Sequence, residues 1–253
     1  MGIARRGRDL LWTLRAARAN RRYLTNGAPD GLPIPPASLR ILVAATPDIA
    51  WFLEIGRRGA ESIRSTLERN GVSLNEAVPL LDFGCGCGRV LRHFAALGDG
   101  VYGTDFNPTL VGWCRRHLPF GRYDVNSLEP PLRFEAGRFG LVYALSVFTH
   151  LPETLQSSWM AEVRRVLRPG GHAIFTTHGG RYVPDLTPAE QERFAAGLLV
   201  VRRDDRPGSN VCGAYHPETY VREQLARGFT VVDFVPEGAT GNPHQDLWLL
   251  RKN

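Results

Sequence analysis

The chain has 253 residues, 43% hydrophobic and 22% charged, a composition that excludes disordered and fibrous classes and leaves room for one large domain or two small ones. No run of eighteen apolar residues occurs, which excludes a spanning helix. The net charge of +6 is carried by residues 1–22, where seven arginines stand against Asp9, so the rest of the chain sums to zero. A neutral body argues against a polyanionic substrate, and no nucleic-acid partner is expected. Four cysteines, two of them one residue apart at Cys85 and Cys87, do not make a disulfide framework for a chain of this length. The expected setting is the reduced cytoplasm.

Residues 3–24 are predicted to form a basic helix with Ile3, Leu10, Leu11 and Leu14 near one face. The apolar stretch at 10–14 is too short and interrupted for a signal peptide. Such an arm reads either as a weak contact for an anionic membrane surface at its inner face or for an acidic partner, or as a solvated terminus. A Pro/Gly stretch follows, so residues 1–36 are set apart as arm and linker from a domain spanning 37–253. Removing residues 1–22 should then leave turnover of a soluble acceptor nearly intact. Helices are predicted near 47–56 and 57–70 within a cover formed by 37–77, the second stopped at Asn70-Gly71.

From residue 78 the pattern alternates. Strands are predicted at 78–83, 101–104, 122–125, 139–145 and 172–177, with helices at 89–97, 108–117 and 153–167 between them. Arg168-Pro169-Gly170-Gly171 reads as a turn feeding the fifth strand. This core, 78–178, implies parallel strands with crossover helices. Residues 179–216 read as a largely irregular lid or insertion. The last part, 217–253, reads as a helix at 217–227 and two strands at 229–235 and 247–251.

The strongest signal is Asp82-Phe83-Gly84-Cys85-Gly86-Cys87-Gly88-Arg89, placed where the first strand meets the first helix. Alternate glycines let a backbone turn tightly and approach a ligand, and the helix start beyond them presents unpaired N–H groups. A second acid, Asp105, follows the second strand in Gly103-Thr104-Asp105-Phe106-Asn107. The G-x-G-x-G spacing differs from the G-x-G-x-x-G of dinucleotide sites, and Asp82 suits a cationic ligand better than a pyrophosphate. The arrangement resembles motif I of the class I S-adenosylmethionine-dependent methyltransferases.

The resemblance extends over most of residues 78–251. Val142-Tyr143-Ala144-Leu145-Ser146 looks like the family's fourth strand and its exit, and Leu167-Arg168-Pro169-Gly170-Gly171 like its turn before strand five. It implies a Rossmann-like α/β fold: a seven-stranded mostly parallel sheet with helices on both faces, an antiparallel last strand and a helical N-terminal extension. It also implies S-adenosylmethionine as cofactor, with S-adenosylhomocysteine as product. Asp82, Gly84, Cys85, Gly86 and Gly88 would surround its methionyl end, and Asp105 its ribose hydroxyls. Asn126 with Ser127, or alternatively Asp124, would meet the adenine, and Leu145 would lie beside the cofactor. Phe106 would lie along the nucleoside or serve as a core aromatic. Gly140 stands where the family usually has an aspartate that supports the glycine loop, so a looser loop is expected.

His150 follows strand four and His178 ends strand five. Either could act as a general base, and either could be a capping or packing histidine. The related ubiquinone-pathway O-methyltransferases carry an E-x-x-E-H magnesium constellation near this point, whereas this chain has Ser146-Val147-Phe148-Thr149-His150. No metal is expected, and Cys85 and Cys87 read as small residues between glycines rather than as zinc ligands. The leading acceptor is an oxygen of a sugar, glycan or natural product. A small amine or amino sugar, a non-catalytic cofactor-binding module and a nicotinamide enzyme are the other readings.

Overall fold

The computed structural model describes residues 16–242 and 244–253. The apolar positions read into the N-terminal arm, Ile3 to Leu14, lie outside the described residues. The first described helix, α1, covers residues 16–26. Its Asn20 is buried, with Nδ2 donating to Pro47 O at 3.0 Å and Oδ1 accepting from Ile49 N at 2.8 Å. The Pro/Gly stretch is also tied down, because Asp30 pairs with the buried guanidinium of Arg92. The described part of residues 1–36 is therefore packed on the body.

Helix α2 (Ala37–Ala44) and α3 (Ile49–Arg69) follow. The two helices expected near 47–56 and 57–70 are one. Asp48 caps its start by accepting from Trp51 N at 2.9 Å. Gly56, at the boundary between the two expected stretches, serves packing: a Cβ there would meet the Arg89 carbonyl oxygen at 2.3 Å.

The strands are β1 (Leu80–Phe83), β2 (Val101–Asp105), β3 (Arg122–Val125), β4 (Phe139–Ala144), β5 (Leu167–Thr177), β6 (Val200–Arg202), β7 (Gly213–Tyr215), β8 (Phe229–Val235) and β9 (Asp246–Lys252). Seven of them form one sheet in the order β3-β2-β1-β4-β5-β9-β8. The first five are parallel, β9 runs antiparallel to β5, and β8 is antiparallel to β9. Period-two alternation assigns the strands' side chains to two cores. Leu80, Leu141 and Tyr143 belong to one face with Phe52, Ile63 and Phe94, while Leu81, Val142 and Phe148 belong to the other with Trp159 and Trp248.

Helix α4 (Pro108–His117) starts as its signals predict, with Asn107 accepting from Thr109 N at 3.0 Å and Pro108 in the first turn. Helix α5 (Glu153–Val166) precedes β5. The helix expected at 89–97 is instead a series of three-residue turns over Leu91–Gly100, broken at Gly98 and lacking a side-chain cap at Val90. Arg168 to Gly171 is no turn but a bulge within β5, since Phe139 pairs with Leu167 and Leu141 with His172. The 179–216 stretch is ordered rather than irregular: it holds α6 (Pro188–Ala195), capped reciprocally by Thr187 and Glu190, and the hairpin β6–β7. The expected terminal helix is a single turn, α7 (Glu218–Tyr220), widened into a π turn over Val221–Leu225.

Gly140 sits at the N-terminal end of the β1–β4 pairing, its N–H donating to Pro79 O at 2.9 Å. A Cβ there would meet the Ala77 carbonyl oxygen at 2.6 Å. The glycine loop leaves the opposite end of β1, so residue 140 cannot brace it, and the expectation of a loosened loop falls.

Candidate cofactor and active site

The C-terminal ends of β1, β2 and β4 open into a cleft of about 610 Å3, within the range of small-molecule sites. Its floor is the glycine loop. Gly84 N and Cys85 N both donate to Thr104 O at 2.8 Å, which fastens the loop to the exit of β2. Gly86 has φ +56° and donates its N–H to Asp105 Oδ2 at 2.9 Å. A Cβ on Gly86 would meet the Val43 side chain at 2.8 Å, so α2 lies directly over the loop. The thiols of Cys85 and Cys114 are turned to the Gly86 carbonyl.

Two buried carboxyl groups stand on this floor. Asp105 Oδ1 accepts from Asn107 N at 2.8 Å, so each of its oxygens holds one backbone N–H and keeps a second lone pair for a ligand hydroxyl. Burial pushes the Asp82 carboxyl up to about 8, opposed by the nearby Tyr143 hydroxyl and Arg89 guanidinium and reinforced by the Asp105 charge. A cationic ligand beside Asp82 would return it to the ionised form. On the wall after β3, Asn126 Nδ2 donates to Ser127 O at 2.7 Å, while Asn126 Oδ1 is buried with no partner. An orphaned acceptor at this place suits an exocyclic amine. These groups fit an adenosyl ligand bearing an amino acid.

Of the residues read from the sequence, Asp82, Gly84, Cys85, Gly86, Asp105, Phe106, Asn126, Ser127, Leu145 and His150 line one cleft. Three do not. Gly88 is turned into the core, where a Cβ would meet Leu118 at 2.3 Å. Asp124 is drawn aside by Arg115 at 3.1 Å. His178 lies behind the wall, its ring stacked among Tyr182 and Tyr215 at 4.3 and 5.4 Å and held by Ala214 O on Nδ1 and Gln245 Nε2 on Nε2. Burial and the nearby His150 lower His178 to about 4.

His150 has a different arrangement. Its Nδ1 lies 2.7 Å from Cys212 O, which as an acceptor fixes the proton on Nδ1 and leaves Nε2 with its lone pair. Burial lowers its pKa, so the ring is neutral near pH 7. Beside it, Ser146 holds φ +59° at the exit of β4, fixed by Thr176 Oγ1 on its N–H and Gln245 Nε2 on its hydroxyl.

The cleft also takes residues that sequence reasoning passed over. Residues 203–212 form a roof that contributes Asp205 and Arg206, a pair read in the sequence only as a solvated loop. Gly208 N donates to His150 O at 2.8 Å, and Asn210 Nδ2 donates to Leu42 O of α2 at 2.9 Å. Arg89 and Asn242 close the end nearest Asp82. Arg89 adjoins the glycine motif and was legible by position alone; Asn242, an isolated turn residue, gave no signal.

A methyltransferase-domain family model matches residues 81–175, the segment that carries this floor. Over these residues the chain is similar to S-adenosylmethionine-dependent methyltransferases. Over 115 residues the chain is 34% identical to an uncharacterized methyltransferase of Synechocystis sp., covering 45% of this chain and 53% of that protein. It is 28% identical over 119 residues to a ubiquinone biosynthesis O-methyltransferase of Bradyrhizobium sp., covering 44% of each. The chain thus spans about half the length of the curated relatives it matches. In fold it is similar to an S-adenosylmethionine-dependent methyltransferase from Mesorhizobium loti, with a TM-score of 0.57 and 19% identity over 76% of this chain and 98% of that one. No helix among the described residues is long and apolar enough to cross a membrane.

Proposed function

We propose that the protein is an S-adenosylmethionine-dependent methyltransferase that transfers a methyl group to a small-molecule acceptor, with an oxygen of a sugar, glycan or natural product as the favoured nucleophile. The observation that carries the oxygen reading is the neutral His150 on the cleft wall, its Nδ1 facing a backbone carbonyl and its Nε2 unclaimed. A hydroxyl nucleophile gains from such a base, by about 10²–10⁴-fold.

When bound, S-adenosylmethionine supplies a methyl group already activated on a sulfonium and leaves as S-adenosylhomocysteine. The chain's part is to place the acceptor, take its proton and keep water out. Asp105 would hold the ribose, Asn126 and Ser127 the adenine, and Asp82 the cationic amino-acid end. Ser146 and Val147 line the wall beside His150, and the roof of residues 203–212 encloses the space. Alignment inside such an enclosure can supply roughly 7–11 kcal/mol of the barrier lowering.

An acceptor screen with mass detection tests the activity and names the acceptor. On the acceptor so found, His150→Ala should lower kcat at least a hundredfold while S-adenosylhomocysteine affinity stays within threefold. His178→Ala should leave kcat within tenfold. Unchanged turnover in His150→Ala across pH 6–9 would retire the base and favour an amine acceptor, which needs none.

A further inference from the structure

Seven large apolar side chains are exposed among the described residues, and five of them gather around the mouth of the cleft. Leu42, Phe106 and Val211 line the cleft while staying open to water. Leu24, 74% exposed, and Trp51, 44% exposed, stand on the helices beside it. Contacts between the segments join these positions. Asn20 ties α1 to Pro47 and Ile49, so Leu24, one turn beyond Asn20, and Trp51, two residues beyond Ile49, adjoin one junction. Asn210 Nδ2 donates to Leu42 O at 2.9 Å, which brings the neighbouring Val211 against α2. Charge follows the same side. Spacings of three and four residues put Arg18, Arg21 and Arg22 together on the exposed side of α1. None of the three has an acidic partner among the described residues, and Arg22 reaches only the Tyr23 hydroxyl. The sequence has no acid between Asp9 and Asp30, and Asp30 is bound to Arg92. On the roof, Asp205 is matched by Arg203 and Arg206.

We infer that this rim docks on an anionic lipid bilayer and that the acceptor is an amphiphile drawn from the bilayer into the cleft. The arginines of α1 face the headgroups, and Leu24, Trp51, Leu42 and Val211 enter the apolar boundary. The docking rests on the surface alone, and the acceptor class rests also on the methyl-transfer reading above. Exposed apolar side chains gathered at one place mark an interaction site rather than ordinary surface. Attraction to a bilayer grows with the apolar area buried and with the cations that meet anionic lipid, and this rim supplies both. A tryptophan suits the boundary, because its ring is apolar and its N–H polar. The concavity that the rim borders is the cleft itself. A protein seated there would plug the opening, whereas a fluid layer would feed it.

Flotation of the full chain with vesicles tests the docking, comparing an equal mixture of phosphatidylglycerol and phosphatidylcholine with phosphatidylcholine alone. Partition onto the anionic vesicles should be stronger by about tenfold or more. Replacing Arg18→Gln, Arg21→Gln and Arg22→Gln together should lower it by about tenfold, and Leu24→Ser with Trp51→Ser by about fivefold or more. These five side chains are exposed, so their replacement leaves the core intact. On the acceptor found by the screen, anionic vesicles should raise kcat/KM in the unaltered chain and not in the Leu24→Ser, Trp51→Ser variant. Equal partition onto the two kinds of vesicle would overturn the inference and return the arginines to an acidic protein partner. Unchanged partition in the Leu24→Ser, Trp51→Ser variant would overturn it too, because the apolar rim would then be idle. Docking without methylation of any acceptor would count against the proposed function and not against the surface.

Discussion

At position 82 the chain holds a carboxyl group that burial, aided by the Asp105 charge and opposed by Tyr143 and Arg89, pushes up to about 8. Below that pH the group carries its proton, and a ligand ammonium placed beside it must displace that proton to gain the attraction. Binding is therefore linked to proton release, and affinity should fall as pH drops below 8, by up to about tenfold per unit. Calorimetry with S-adenosylhomocysteine at pH 6, 7 and 8 should show this slope, and Asp82→Asn should flatten it. A slope that persists in the variant would assign the proton to another group. Burial raises Asp105 as well, opposed by the N–H groups of Asn107 and Gly86 that stabilise its charge.

Among the elements, those whose signals are local were legible in the sequence. Helix α4 matches its prediction because the Asn107 cap and Pro108 act within one turn. The glycine loop and Asp105 were legible because their chemistry is confined to short motifs. What misled was residues with two uses. The boundary expected at residue 56 falls inside α3, where Gly56 is a contact point for the Arg89 backbone. Arg168-Pro169-Gly170-Gly171 reads as a turn but is absorbed as a bulge. His178 reads as a cleft residue because it ends a strand there, yet the hairpin β6–β7 covers it, a contact no sequence spacing reports. Gly140 belongs to the same group, and it yields a prediction. Gly140→Asp should destabilise the fold by about 1–3 kcal/mol, because its Cβ meets backbone that cannot yield. S-adenosylhomocysteine affinity should be unchanged, since the position is at the wrong end of the sheet. Urea unfolding and calorimetry check the two halves of this statement, and weakened binding at full stability would contradict it.

For the whole molecule, the N-terminal extension is part of the architecture from Asn20 onward. Truncation to residue 15, which keeps every described residue, is the reference for stability. Truncation to residue 22 removes two buried hydrogen bonds at the α2–α3 junction, a loss of roughly 1–3 kcal/mol, and should lower the melting temperature by several degrees. Equal melting temperatures for the two truncations would show the Asn20 contacts to be idle. Residues 1–22, expected to be dispensable for turnover, include Asn20 with its contacts to Pro47 and Ile49, and assay of the same truncation tests that expectation. The same junction carries α2, and α2 meets the roof at one hydrogen bond, Asn210 to Leu42. A ligand on the floor is thus enclosed by two segments distant in sequence that are fastened at a single clasp. Such a ligand could leave only after the clasp parts, so the clasp would bear on its dwell time. Weakening that hydrogen bond would then speed arrival and departure together, and a spent cofactor would pace the next turnover from beneath the latch.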